Sequence, residues 1–548
     1  MQYTLKIVSS LEKVFPGALK PMTEVTGGTM LKNEIHSFQL VMALEEENLW
    51  ASKYTMELTS ELSPYIKIYQ VGNVPVDMPV NKGTGDNDFL FYEPGLAPDP
   101  LYRYTKGEFV IPNGGNCCYW FSVEPEGKIA GTYPIEIRVF DDQKNQIGQI
   151  RYDLEIIDAA LPKLSIYNTN WFHGDCIATH HGVKILSDAW FDLVDTYMGV
   201  FAKFGLNLIL TPVFTPPLDT NIGEERPTTQ LVEVTCNNGQ YTFGFDSLKR
   251  WIDLTRKNGI EFLEISHLFT QWGAKHCPKI MATVDGEYKR IFGWDTDALS
   301  KEYETFLDAF LPELIQFLTA EGIMDKCLFH VSDEPHGEEH RVQYAACKAM
   351  LTKHLDESRL IDALSNYDFY ASGVVKTPVA CNDHIQPFLD NNVDTLWTYY
   401  CCSQRVDVAN RFIAMPSYRN RVLGAQLYKY NIKGFLQWGF NFWYSVRSQR
   451  PINPFTDTAS DYTFPAGDAF VVYPKLPWQE EPVYSLRLFV YNEAFQDFRA
   501  LELLEALTSR EEAMALLAEL ENFNKYPRNI EFFLKLRETI NQKIKAAL

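Results

Sequence analysis

What most limits the fold of this chain is a change of hydrophobic rhythm after Leu161-Pro162. Before that point apolar residues alternate with others. Phe38, Leu40, Met42 and Leu44 form one such run, Tyr133, Ile135, Ile137 and Val139 another, and Tyr152, Leu154 and Ile156 a third. Period two marks strands that bury one face. Turn signals such as Asn113-Gly114-Gly115 separate the runs, and no amphipathic helix interrupts them. Residues 1–160 therefore predict an antiparallel β-sandwich.

Beyond Pro162, apolar strand-like runs alternate with helical periods. The runs are Leu164–Phe172, Leu206–Val213, Ile260–Phe269, Lys326–Val331, Leu360–Ser365, Val379–Ile385, Thr395–Tyr400 and Gly434–Trp443. Between the third and fourth, Tyr303, Phe306, Leu307, Phe310, Leu311, Leu314, Phe317 and Leu318 recur by threes and fours, as on one face of a helix. Ser187–Phe204 opens on an N-cap type and Asp246–Asn258 stops at Gly259, a C-cap type. Strands separated largely by helices predict a (β/α)₈ TIM barrel over 161–480. From about Ser485, Leu501, Leu504 and Leu507, then Met514, Leu517 and Leu520, mark amphipathic faces, so 481–548 predicts C-terminal helices packed on the barrel. A chain of 548 residues exceeds one ordinary core, which fits a division into several parts.

Composition removes whole classes of function. A formal charge of -21 argues against nucleic acid, since a phosphate-binding surface concentrates Lys and Arg. A neutral substrate tolerates it. The aromatic content of 14% leans towards sugars, whose apolar faces stack on rings, although core packing accounts for most of these residues. Cys117-Cys118 and Cys401-Cys402 are vicinal, and the ten cysteines show no zinc spacing, so reduced thiols are expected. His173, Asp175, His180 and His181 cluster without a metal motif, and no metal is expected. With no Walker loop, G-x-G-x-x-G or G-x-S-x-G, no cofactor is expected either. Met1 to Lys20 lack a basic and apolar leader, and no run of about 18 apolar residues occurs, so the expectation is a cytoplasmic chain without a membrane partner. The sequence sets no oligomeric state.

Barrel active sites lie at the C-terminal ends of the strands. Strand four ends His330-Val331-Ser332-Asp333-Glu334-Pro335. Alternation points His330 and Ser332 inward. Glu334 follows them if the chain stays extended, as Pro335 favours. Asp333 enters from another angle, and two neighbouring carboxyls in different settings can differ in proton affinity. Asp-Glu-Pro alone also suits an exposed turn opening a helix; its place after strand four favours the acid pair. Other strand ends are polar and aromatic. They carry Asn170, Trp171 and His173, then His267 and Trp272, then Trp397, Tyr399 and Tyr400, then Trp438, Asn441 and Trp443. Such residues suit a glycan or small-glycoside pocket, as platforms with fixed hydrogen-bonding groups.

At these residues the sequence resembles glycoside hydrolase family 123 and the domains related to it. The resemblance rests on Phe329–Pro335 (FHVSDEP) and Gly434–Trp443 (GFLQWGFNFW), with support from Ala466–Pro474 and Ser485–Leu501. Leu210–Leu218 and Phe269–Lys279 resemble a related branch. The resemblance implies exo-acting β-N-acetylgalactosaminidase activity of the retaining, substrate-assisted kind. Glu334 would then be the general acid, and Asp333 would position the substrate's own 2-acetamido group as nucleophile. It also implies pocket roles for His267, Trp272, Tyr400, Asn420, Arg421, Tyr428, Trp438, Asn441 and Trp443. His330, Asn170, Trp171 and His173 join this expected binding set from their places at strand ends. A protein carboxylate as nucleophile or base, with Asp175, Glu264 or Asp383 near strand ends, and a non-catalytic carbohydrate-binding protein are the alternatives.

Overall fold

The structure, a computed structural model, describes residues 3–44, 53–105, 107–112 and 114–548. Met1, and Asn113 of the expected turn, lie outside the described residues. The chain divides into two compact units, one of Met1–Ser165, Arg405–Asn431 and Phe455–Leu548, the other of Ile166–Gln404 and Ile432–Pro454.

In the first unit a seven-stranded antiparallel sheet runs in the order Tyr3–Ser9, His36–Leu44, Asn116–Val123, Ile66–Val76, Gly95–Tyr104, Val483–Ser485, Val472–Tyr473. A five-stranded sheet contains Gly27–Leu31, Gln146–Ile157, Gly131–Phe140, Lys53–Thr59 and Phe109–Val110. Its one departure from the antiparallel expectation is Gly27–Leu31, which pairs in parallel with Gln146–Ile157. The period-two residues meet in one core: Phe38, Leu40 and Met42 pack with Ile135, Ile137, Val139, Tyr152 and Leu154.

The contacts cut the chain elsewhere than at 160 and 480. Residues 405–431 and 455–480 join the β-rich unit, as do the C-terminal helices Leu486–Leu507, Arg510–Ala515 and Ile530–Ala547, which were expected on the barrel. The helix Ser417–Lys429 explains part of this. It is buried on nearly all sides, so it has no apolar stripe to reveal its partner. Gly424 lets Leu486–Leu507 approach its backbone, for a Cβ there would sit 1.7 Å from the carbonyl oxygen of Ala494. Gly424→Ala is therefore expected to force the two helices apart at a cost of about 3 kcal/mol, the upper end of ordinary overpacking. Denaturant unfolding checks this, and an unchanged midpoint would refute the close packing.

The second unit holds eight parallel strands at the eight expected places. They are Tyr167–Asn170, Leu208–Thr211, Phe262–Ile265, Cys327–Phe329, Ile361–Leu364, Thr377–Cys381, Trp397–Tyr399 and Gly434–Gln437, hereafter strands one to eight. Strands two, three and four form one sheet. Strands one, eight, seven, six and five form the other. A parallel bridge Phe329↔Leu360 links strand four to the start of strand five. The N–H of Asn207 donates to Asn168 O (3.1 Å) between strands one and two, and the Asn207 side chain accepts the N–H of Asn168 (2.8 Å).

The helix signals hold. Asp188–Lys203 begins after Ser187, whose hydroxyl accepts the Trp190 N–H at 3.3 Å, and Asp246–Asn258 ends at Gly259 with φ +76°. The pattern did not disclose a four-stranded sheet, built from Glu233–Asn237, Gln240–Gly244, Ile280–Val284 and Glu287–Phe292 in the insertions after strands two and three. No two cysteines form a disulfide among the described residues. Among them, too, no helix is long and apolar enough to cross a membrane.

Candidate active site

Strand four is short, and its next residue points inward as alternation requires. His330 is wholly buried, with Nε2–H on Glu264 Oε1 at 2.6 Å and Nδ1–H on Asp362 Oδ1 at 3.1 Å. A ring with a carboxylate at each nitrogen carries both protons. Burial alone would strip the charge, but hydrogen bonds to Asp362 and Glu264 outweigh it and hold the pKa at about 10. Each carboxylate accepts two further hydrogen bonds. Glu264 also accepts Trp171 Nε1–H (2.7 Å) and the Thr169 hydroxyl (2.7 Å). Asp362 also accepts the Val331 N–H (3.2 Å) and the Tyr344 hydroxyl. Ser332, inward as well, donates to Thr270 O at 2.8 Å.

The chain then turns. Glu334 was expected to stay extended; instead its φ is +45°. The following proline disfavours the right-handed helical region, leaving extended or left-handed backbone, and the left-handed form costs a residue with a Cβ about 1–2 kcal/mol. The turn brings the carboxylate beneath strand seven, where the Tyr399 hydroxyl donates to Glu334 Oε1 at 2.6 Å. Asp333 is anchored through its carbonyl, which accepts the Trp272 N–H at 2.8 Å. Trp272 opens a run of left-handed residues, Trp272 (φ +58°), Gly273 (+112°) and Ala274 (+55°). Gly273 is required there, because a Cβ would come within 2.6 Å of the His340 ring. Trp272, in this run, is 37% exposed.

Burial pushes Asp333 well above the usual carboxylate range, and the neighbouring Glu334 charge adds to this while His330 opposes it. Burial also raises Glu334, against the stabilising Tyr399 hydroxyl. Two adjacent carboxyls that resist joint ionisation retain a proton between them.

The remaining expected residues fall into three groups. His267 and Trp171 lie with the His330 network: the His267 ring stacks on His330 at 4.1 Å and 18°, and Trp171 meets it edge-on at 5.2 Å. Burial, then the His330 charge, keeps His267 neutral. Trp438 is partly exposed against the same apolar cluster as Tyr399.

A second group positions backbone. His173 is buried, with its Nε2 on Trp438 O (2.9 Å) and its Nδ1 accepting from Arg226 (3.1 Å). Asn441 brackets the His173 peptide at 2.9 and 3.0 Å, and Asn170 is buried with its amide on Thr169 O.

The third group departs from expectation. Trp443 is buried among outer helices, against Tyr197 and His180, because side chains past Gln437 no longer follow strand alternation. Tyr400 packs on Phe435; its neighbour Tyr399 has the inward parity and reaches the acid. Asn420, Arg421 and Tyr428 belong to the other unit. There they bond to the C-terminal helix, at Arg487 O, at Glu493 and Asp497, and at Glu505 respectively.

Among the described residues, two groups bring possible metal donors within 4.8 Å: His267, His330 and Asp362, and Cys381, Asp383 and His384. In the first the imidazoles are stacked, so their in-plane lone pairs run side by side and do not converge on an ion. In the second, His384 Nδ1 bonds Asp383 at 2.9 Å and Gln404 holds Asp383 at 3.2 Å, which accounts for the arrangement.

The family model for the glycoside hydrolase 123 catalytic domain matches residues 171–504, more than half of the chain. Among solved structures, a family 123 glycoside hydrolase from Clostridium perfringens overlays with a TM-score of 0.73. It is 14% identical, and the match covers 100% of this chain and 98% of that one. β-Glucuronidases from Parabacteroides merdae (10% identical, 91% and 52% covered, TM-score 0.31) and Bifidobacterium dentium (8%, 89% and 66%, 0.32) overlap too loosely to inform. No curated protein matches. The matched catalytic domain makes the chain a glycosidase, an enzyme acting on glycans. The chain belongs to glycoside hydrolase family 123.

Proposed function

We propose that the chain is an exo-acting, retaining β-N-acetylhexosaminidase of the β-N-acetylgalactosaminidase kind, using the 2-acetamido group of its substrate as nucleophile. The eight parallel strands, with links on both sides between their two sheets, read as a (β/α)₈ barrel carrying the site at its C-terminal rim. Glu334 donates its proton to the glycosidic oxygen as that bond breaks. The acetamido oxygen attacks the anomeric carbon from the opposite face, and Asp333 accepts a hydrogen bond from the acetamido N–H as oxazolinium charge develops. Glu334 then takes a proton from the water that opens the ring, with retention. Glycolipid glycan hydrolysis, described for the Clostridium relative, points to a glycan terminus as substrate.

The observation that carries this reading is the state of the other carboxylates. Glu264 is buried and accepts three hydrogen bonds, and Asp175 forms a two-point ion pair with Arg226 at 2.9 and 3.0 Å. Neither is available to attack carbon. Asp383, exposed and acting electrostatically on Glu334, is the carboxylate a rival double-displacement mechanism would use. Paired aryl glycosides with and without the 2-acetamido group decide between the two. The proposal requires the latter to be nearly inert and a thiazoline mimic to inhibit strongly; a glycosyl-enzyme trapped on Asp383 would overturn it.

Trp272→Ala is expected to raise KM about tenfold with kcat little changed. The loss is that of one stacking face, about 1.4 kcal/mol, at a residue whose indole is partly exposed. An unchanged KM would remove Trp272 from the pocket.

A further inference from the structure

We propose that Tyr399 is the positioning residue of the general acid: its hydroxyl takes up Glu334 Oε1, so that Oε2 alone hands the proton to the leaving group and recovers one from the attacking water. This rests on the reading of Glu334 as acid, and holds whether or not the substrate supplies the nucleophile.

The contact is fixed from the strand upward. Tyr399 ends strand seven, where its backbone pairs with Cys381 of strand six and Leu436 of strand eight. Its side chain is buried in the same apolar cluster as Trp397, Cys381 and Leu436, so the phenol has no room to swing away. From there its O–H reaches Glu334 Oε1 at 2.6 Å. Burial, then the Glu334 charge, pushes the phenol well above its ordinary range, and the Cys381 and Cys401 thiols add to this. The hydroxyl is therefore a donor at every working pH.

A donor on Oε1 decides where the acid's own proton sits. The carbonyl oxygen of a carboxylic acid accepts hydrogen bonds better than its hydroxyl oxygen, so Oε1 is the carbonyl and Oε2 carries the proton. As the glycosidic bond breaks, its electron pair passes to the leaving oxygen, which takes the proton from Oε2. The carboxylate charge left behind meets a hydrogen bond already in place. In the second half Oε2 takes a proton from the water whose oxygen bonds to the anomeric carbon, and the acid is restored. Other groups act on the same carboxyl. Burial favours the proton, the Tyr399 hydroxyl and then His336 oppose it, and the Asp383 charge favours it. Asp333 adjoins it in the chain, and the Cys381 thiol also feels its charge. Among the groups that favour ionised Glu334, Tyr399 carries the most weight.

Tyr399→Phe is the test, since it keeps the ring and removes the hydroxyl. On aryl glycosides of poor leaving groups, kcat/KM is expected to fall about tenfold with KM within about threefold. The alkaline limb of the profile should move up by about one unit, because ionised Glu334 loses a hydrogen bond. A loss of activity with an unmoved limb marks a merely structural role and overturns the inference, as does an unchanged enzyme. Should Tyr399→Phe not fold, Tyr399→3-fluorotyrosine keeps the shape and donates more strongly. The limb should then move down, and a limb that stays in place overturns the inference. The Glu334→Gln profile separates the two readings. A limb that persists in that variant takes the acid role from Glu334, and this inference falls with it. A limb lost there but unmoved in Tyr399→Phe leaves the acid in place and overturns the role of Tyr399 alone.

Discussion

Glu334→Gln lowers turnover on glycosides of poor leaving groups by about 10²–10⁴-fold, the usual worth of a positioned general acid, and spares activated aryl glycosides. The amide fills the same space under the Tyr399 hydroxyl but has no proton to give. The pH profile carries the sign. A general acid works below its pKa, and burial raises that of Glu334. Wild-type activity therefore persists above the ordinary carboxylate range of about 4.3 and falls as pH rises through the raised value. In Glu334→Gln that alkaline limb vanishes. Measuring kcat/KM across a series of aryl leaving groups gives the test; equal losses on good and poor leaving groups would take the acid role from Glu334.

Asp333→Asn reduces kcat by about 10²–10³-fold, the range seen when one electrostatic partner of a developing charge is removed, and leaves KM within a few-fold. The asparagine oxygen still accepts from the acetamido N–H, so the ground state is held, but the charge facing the oxazolinium is gone. Its neutrality also acts on its neighbour. Without a second carboxylate beside it, the ionised form of Glu334 is less disfavoured, its pKa falls, and the alkaline limb moves to lower pH. Steady-state kinetics with pH variation reads both effects. Loss confined to KM would recast Asp333 as a simple binding group.

Most of the strands were legible because they are apolar runs bounded by turn residues, and local rhythm reports that directly; strand one, Tyr-Asn-Thr-Asn, was found through its apolar flanks. Parity within strand four was legible too, and it put His330 and Ser332 inside. What sequence missed needs a third dimension. Tyr399 and Tyr400 are equally aromatic, and choosing between them requires the register of strand seven, where Tyr399 pairs with Cys381 on one side and Leu436 on the other. Asn420, Arg421 and Tyr428 have the composition of a sugar site. They lie on a helix buried all round, where polar groups bond to neighbouring helix instead of ligand, and no periodicity separates the two uses. The left-handed turn at Glu334 escaped because a proline after a residue excludes one region of backbone space without choosing between the others.

That turn bears on how this protein behaves under laboratory evolution. Glycine or asparagine accepts a φ of +45° with little or no penalty, so either one in place of Glu334 relaxes the backbone and withdraws a buried acid in one step. Heat challenge and catalytic challenge pull this position in opposite directions. A library selected only for surviving temperature collects Glu334→Gly and Glu334→Asn clones that outlast the parent and lose turnover on glycosides of poor leaving groups. A library selected for turnover keeps glutamate and must seek its sturdiness in other parts of the chain.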